Sequence, residues 1–169
     1  MTTNLYSFIG LYSRVLDTAA HLLAKGCEHA AATGVSEAAM LAWRLIDDMA
    51  PLAFQFAVVC NFPRSWPARV VGLPVPEEMT LEPSVAQIRQ GLADAKAYLA
   101  ALTPEQFAGR DEVPLKVMIG TGMEPTLPAA QWLTVFSTTN LYFHLSMAYA
   151  ILRSRGVPIG KPDLFASGL

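Results

Sequence analysis

His144, Asn140, Gln55 and Asp48 are the residues whose types and spacing best allow chemistry in this chain. Asn140 and His144 stand four apart, which on a helix places them on one face. Asp48 and Gln55 flank the apolar stripe of an earlier segment, two turns apart. Packed between two helices, the four would satisfy one another by hydrogen bonds and set the helix register. Alternatively they would line a pocket for a small organic ligand, with His144 as acid or base. Tyr142, Tyr149 and Arg153 follow on the His144 segment as candidate pocket or packing residues. Arg153 is expected either to pair with Asp163 or to sit at the helix C-terminus, where a cation is favoured. Lys161 is expected to cap the last carbonyls of that helix. His21 and His29 lie eight residues apart with no second histidine at metal spacing, and read as solvated or partly buried. Cys27 and Cys60 form no CxxC and read as buried, reduced thiols. P-loop, dinucleotide-fingerprint, G-x-S-x-G and H-E-x-x-H patterns are absent.

The elements that must position these residues are helical. Leu5, Phe8, Ile9, Tyr12, Val15, Leu16, Ala19, Leu22 and Leu23 repeat in steps of three and four, and Thr33-Gly34 marks the helix end. Ser36 is an N-cap for a second helix with the stripe Leu41, Leu45, Leu52, Phe56, Val59, which Pro51 kinks or breaks. A short helix is expected to restart from Ser65 to Val71 with Pro67 in its first turn, before a loop at Gly72, Pro74 and Pro76. A third helix from about Thr80, with Pro83 in its first turn, carries Leu81, Val85, Ile88, Leu92, Ala95, Leu99 and Leu102 at bundle spacing. Thr103 to Gln106 reads as a capping box opening one more turn, closed by Gly109. Leu115, Val117 and Ile119 alternate ahead of Gly120-Thr121-Gly122, which predicts a small β-hairpin. The last helix is expected from Pro128 to Ser154, with Trp132, Phe136, Phe143, Met147 and Ile151 on its apolar face. After Gly156, the Pro- and Gly-rich tail is expected to fold back through Val157, Ile159, Leu164 and Phe165. The fold class is therefore all-α: one domain over 1–169, an antiparallel four-helix bundle with a hairpin before the last helix and a packed tail.

Composition narrows the function classes. The 169 residues are 53% hydrophobic and 15% charged, with formal net charge -2. So little charge implies a large core or an apolar surface covered by a partner, and a homodimer is the simplest partner. No basic patch supports nucleic-acid or anionic-membrane binding. Mean hydropathy is +0.34, yet the most apolar stretch, Pro51 to Cys60, holds Gln55 and soon meets Asn61, Pro63 and Arg64. It is too short to span a bilayer. The N-terminal Met-Thr-Thr-Asn-Leu-Tyr has no basic region leading into an apolar run, so it is not a secretory signal and the location is expected to be cytoplasmic.

The runs Asn140-Leu-Tyr-Phe-His144, Ala148-Tyr-Ala-Ile-Leu-Arg153 and Gly156-Val-Pro-Ile-Gly-Lys161 with Asp163 resemble the C-terminal signature of domain-of-unknown-function family nineteen-ninety-three. Asp48-Met-Ala-Pro-Leu52 with Gln55 resembles its second-helix signature. That family is similar to the DinB/YfiT-like four-helix bundles, described as metalloenzymes that include thiol transferases and an isomerase. The resemblance implies the bundle fold and, more weakly, a metal-dependent transferase or isomerase. DinB-like metal sites use one histidine of the second helix and an H-x-x-x-H pair of the fourth. Here that pair is Asn140 and His144, and the second helix has no histidine. A divalent metal would rest on His144, Asp48 and water, an oxygen-rich set suited to magnesium or manganese. Phe62-Pro63-Arg64 and Pro67 fall where the pattern wants an unbroken helix, and Thr139 replaces a proline before Asn140.

Overall fold

The computed structural model describes residues 4–165; the first three residues, part of the N-terminus expected to carry no secretory signal, lie outside it. Helix α1 (Ser7–Ala32) buries Ile9, Tyr12, Val15, Leu16, Ala19, Leu22 and Leu23, the stripe its spacing dictates. Gly34 comes next at φ +72, in the left-handed region that closes a helix. Gly26 lets α1 approach the last helix closely: a Cβ there would stand 2.8 Å from Leu152 Cδ2.

Ser36 caps α2 (Glu37–Leu41) by accepting the Ala39 N–H at 3.2 Å. The expected second helix stops there. Residues 42–51 form an irregular connection held by the Leu52 N–H on the Trp43 carbonyl at 2.8 Å and by Arg44 on the Met49 carbonyl. Leu45 is consequently exposed instead of continuing the stripe. A proline disfavours helix in the residue before it, so the break sits ahead of Pro51, which caps α3 (Leu52–Val71). The expected restart at Ser65 does not occur: α3 runs unbroken through Pro63 and Pro67. Each proline deletes one helical hydrogen bond at a cost of about 3 kcal/mol. Both are buried, and so are Val59, Trp66, Ala68 and Val70 around them, so packing offsets the loss.

Helix α4 (Val85–Ala100) starts later than its stripe suggests. Ser84 is its N-cap and forms a reciprocal capping box with Gln87, leaving Leu81 exposed and Pro83 outside the first turn. In α5 (Pro104–Phe107) the Gln106 side chain accepts the Thr103 N–H at 2.8 Å, and Gly109 lies beyond it at φ +69. Strands β1 (Pro114–Lys116) and β2 (Thr126–Pro128) pair antiparallel with Leu115 opposite Leu127, and an Ile119–Met123 bridge lies nearer the turn. Trp132 Nε1 donates to the Leu115 carbonyl at 2.9 Å and ties this hairpin to the helices.

The last helix is three segments: α6 (Ala129–Gln131), a π-helical stretch Trp132–Ser137, and α7 (Thr138–Ser154). Pro128 ends β2 and precedes the helix. A π turn inserts roughly one residue and rotates the rest of the helix by about 100°. Trp132 is buried, but Phe143, expected on the same face, is 51% exposed; Leu141, Leu145, Ala148 and Leu152 take the core positions. Side-chain donors collect on the carbonyls of this stretch. Thr134 Oγ1 bonds Ala130 O, Thr138 Oγ1 bonds Leu133 O and Asn140 Nδ2 bonds Phe136 O, each at 2.8 Å. From α1, the fully buried Tyr12 hydroxyl reaches Leu133 O at 3.1 Å and Ser137 Oγ at 2.7 Å.

Helices α1, α3, α4 and α7 enclose one core, with α3 packed against the other three. The tail buries Val157 and Ile159 as expected, whereas Phe165 is 45% exposed. Asp163 does not pair with Arg153. It bonds His21 Nε2 at 2.7 Å and the Gly160 N–H at 2.6 Å, clipping the tail to α1. Arg153 instead reaches the Val157 carbonyl at 3.5 Å, near the helix C-terminus. No helix among the described residues is long and apolar enough to cross a membrane.

Tyr12→Phe keeps the ring, removes the donor to the buried Ser137 hydroxyl and leaves the Leu133 carbonyl with Thr138 alone. The expected loss is about 1–3 kcal/mol in urea unfolding at unchanged helix content; an unaltered midpoint would show that Tyr12 does not support the π turn.

Candidate functional site

Gln55 lies one turn into α3 and is 2% exposed. Its Nε2 donates to the Ala50 carbonyl at 3.0 Å, which turns Oε1 toward α7. His144 Nδ1 lies 2.8 Å from that oxygen. An amide oxygen only accepts, so Nδ1 carries the proton and Nε2 keeps its lone pair. The irregular connection is thus part of the site: only because residues 42–51 leave the helix is the Ala50 carbonyl free to orient Gln55.

Three rings surround the imidazole, Phe143 at 5.2 Å, Phe54 at 5.8 Å and Phe62 at 6.4 Å between centroids. The wall continues from Phe62 to Trp66, which stacks on Trp132 at 5.2 Å and meets Phe136 at 5.0 Å. Arg69 covers the Trp66 ring at 5.6 Å, a cation–π contact at the far end. Burial among these rings pushes the His144 pKa from 6.5 down to about 4. At neutral pH the group is an uncharged imidazole that offers one hydrogen-bond acceptor beside an aromatic wall. A base this weak accepts a hydrogen bond more readily than it abstracts a proton.

The other candidates lie elsewhere. Asp48 is exposed on the connection before α3. Asn140 turns back to its own helix at the Phe136 carbonyl. Tyr142 is 42% exposed on the outer face of α7, Tyr149 is half-buried, and Arg153 is exposed beyond the site. The sequence pattern does not single out Phe54, Phe62 and Trp66 as site residues, although their spacing of eight and four on α3 already places them along one side. A separate cleft of about 620 Å³ opens between α2, the start of α3 and the N-terminus of α4, floored by Leu41, Pro51, Ala53 and Val85.

The metal implied by the family resemblance does not fit this donor set. The ring neighbours of His144 are phenyl groups, and Asp48, the carboxylate expected beside it, is exposed on the connection before α3. Among the described residues no three His, Cys, Asp or Glu side chains gather closely enough to hold an ion.

The depressed His144 pKa carries a pH signature. Above about 6.5 the imidazole is neutral folded or unfolded. As pH falls from there towards about 4, the unfolded chain takes up a proton that the folded chain refuses, so stability declines across that window. The melting temperature of the wild type, relative to a His144→Gln variant, should therefore fall between these pH values. A constant difference would contradict the buried neutral imidazole.

None of the curated proteins matches the chain. Among solved structures, the crystal structure of a DinB family member protein from Shewanella denitrificans is 26% identical, covers 95% of this chain and 90% of its own, and superposes with a TM-score of 0.86. The family model described as "Domain of unknown function (DUF1993)" matches residues 5–165, and the chain, helical with a two-stranded hairpin, belongs to that family.

Proposed function

We propose that this protein is a single-domain, DinB-like antiparallel four-helix bundle that binds a small organic molecule in the groove between α3 and α7. The carrying observation is the Gln55–His144 hydrogen bond, which leaves the Nε2 lone pair unprotonated beside Phe54, Phe62 and Phe143. Such a site selects a flat, apolar ligand with one N–H or O–H. The rings supply contact area, and the lone pair rewards a donor and penalises its absence. Asn140, Tyr142, Tyr149 and Arg153 stand on the same helix as His144 and outside this contact. A metal-dependent transferase or isomerase, as in the wider group the chain resembles, would need ligands beyond His144; a free Nε2 is nonetheless the form of histidine that binds metal.

Matched probes test the reading. Phenol and indole carry the donor; anisole and 1-methylindole lack it. With ¹⁵N-labelled imidazole, the donor pair should shift the His144 Nε2 resonance and bind roughly tenfold more tightly than the methylated pair, the worth of one such hydrogen bond. The preference should vanish in His144→Phe. Equal binding of all four probes, or none, would overturn the proposal. Stoichiometric zinc, nickel or manganese in untagged protein by mass spectrometry, lost in His144→Ala, would replace it with the metal reading.

A further inference from the structure

Exposed helix faces normally carry charge. The last helix does not: from Ala129 to Leu152 there is no Asp, Glu, Lys or Arg. Along its outer side run Val135, Thr139, Tyr142, Phe143 and Ser146, with Val135 62% and Phe143 51% exposed. The neighbouring α3 is equally uncharged from Leu52 to Phe62, and its half-buried Phe54 and Phe62 widen the apolar strip. Depletion of charge marks the centre of a protein interface.

We infer that this face is a two-fold interface on which α7 packs antiparallel against α7 of a second copy. The pattern of the strip is self-complementary about a point between Tyr142 and Phe143. An axis there sets Val135 opposite the partner's Ala150, and Thr139 opposite the partner's Ser146, whose small side chains permit close approach. The ends are complementary in charge. Arg153 is exposed two turns beyond Ser146 on the same side of α7, and Arg155 lies just beyond it. At the other end, Ala130 N–H bonds the Asp111 carbonyl at 3.0 Å and Ala129 N–H the Val113 carbonyl at 2.8 Å, which fixes the exposed Glu112 beside the start of the same helix. Antiparallel packing brings the arginine end of each copy to the Glu112 end of the other. A contact from Val135 to Ala150 is about 22 Å long and, with α3, two helices wide. It covers about 500 Å² on each copy, or about 1,000 Å² in all, the lower range for a specific dimer. With no charge along most of its length, the strip offers a different, charged partner little to recognise.

Sedimentation equilibrium of the full chain tests this. Wild type should be a dimer at micromolar concentration. Val135→Arg and Thr139→Arg, both at exposed positions, should weaken association at least 100-fold while circular dichroism stays native. Met118→Arg, on the exposed hairpin, should leave the dimer intact. Arg153→Glu should weaken the dimer and Glu112→Arg in the same chain should restore it. A monomeric wild type, or a dimer indifferent to Val135→Arg, would overturn the inference. Phe54, Phe62 and Phe143 belong both to the strip and to the groove wall, so the four probes are titrated against the Val135→Arg monomer as well as the wild type: binding without a wild-type dimer, or a dimer without binding, separates failure here from failure of the ligand reading.

Discussion

A helix buried on nearly every side has no water to satisfy its polar groups, and α3 is such a helix. Its buried amides Gln55 and Asn61 find partners in neighbouring elements, which ties those elements to fixed positions. Gln55 recruits the Ala50 carbonyl and His144. Asn61 pairs in both directions with the backbone of Met79, accepting its N–H at 3.0 Å and donating to its carbonyl at 3.3 Å. Arg110 Nε closes the far end on the Val70 carbonyl at 2.7 Å. The connection before α3, the loop before α4 and the segment after α5 are therefore organised by the desolvation of one helix. The same burial explains why two prolines persist inside it: the chain around them has no competing solvated conformation that keeps Val59, Trp66 and Val70 out of water.

The π turn is the second organising feature. It changes which residues of the last helix face α3, bringing Trp132 and Phe136 against Trp66 while turning Phe143 outward. π turns leave backbone groups with irregular partners and recur at functional sites. Here Tyr12, Thr134, Thr138 and Asn140 supply the missing bonds, so the irregularity is stabilised from both the helix and its neighbour. The outcome is an aromatic wall leading to one imidazole. In a medium that hostile to charge, the imidazole is held neutral and its tautomer is set by a single amide.

Family likeness and site chemistry part company in this groove. A match over residues 5–165 and a TM-score of 0.86 to a DinB family member describe a shared backbone. They do not carry a ligand set, because a fold is decided by the core and a metal site by a few side chains on it. Where the resemblance implies three imidazoles, this chain has His144 and a buried amide hydrogen-bonded to it.

Hydrophobic periodicity alone determined the helical class, the extent of α1, the hairpin and the burial of Val157 and Ile159, because each depends on local spacing and turn chemistry. It also gathered Gln55 and His144 into one polar cluster with Asp48 and Asn140, of which the structure brings only Gln55 and His144 together. Tertiary structure decided the rest. Periodicity cannot see a π turn, so it assigns Phe143 to the core; it cannot weigh burial against a lost hydrogen bond, so it breaks α3 at Pro63 and Pro67. Nor can it rank distant partners for one carboxylate: Asp163 went to His21, 142 positions away, and Asp48 to solvent, because contact depends on how helices cross and not on the order of residues along the chain.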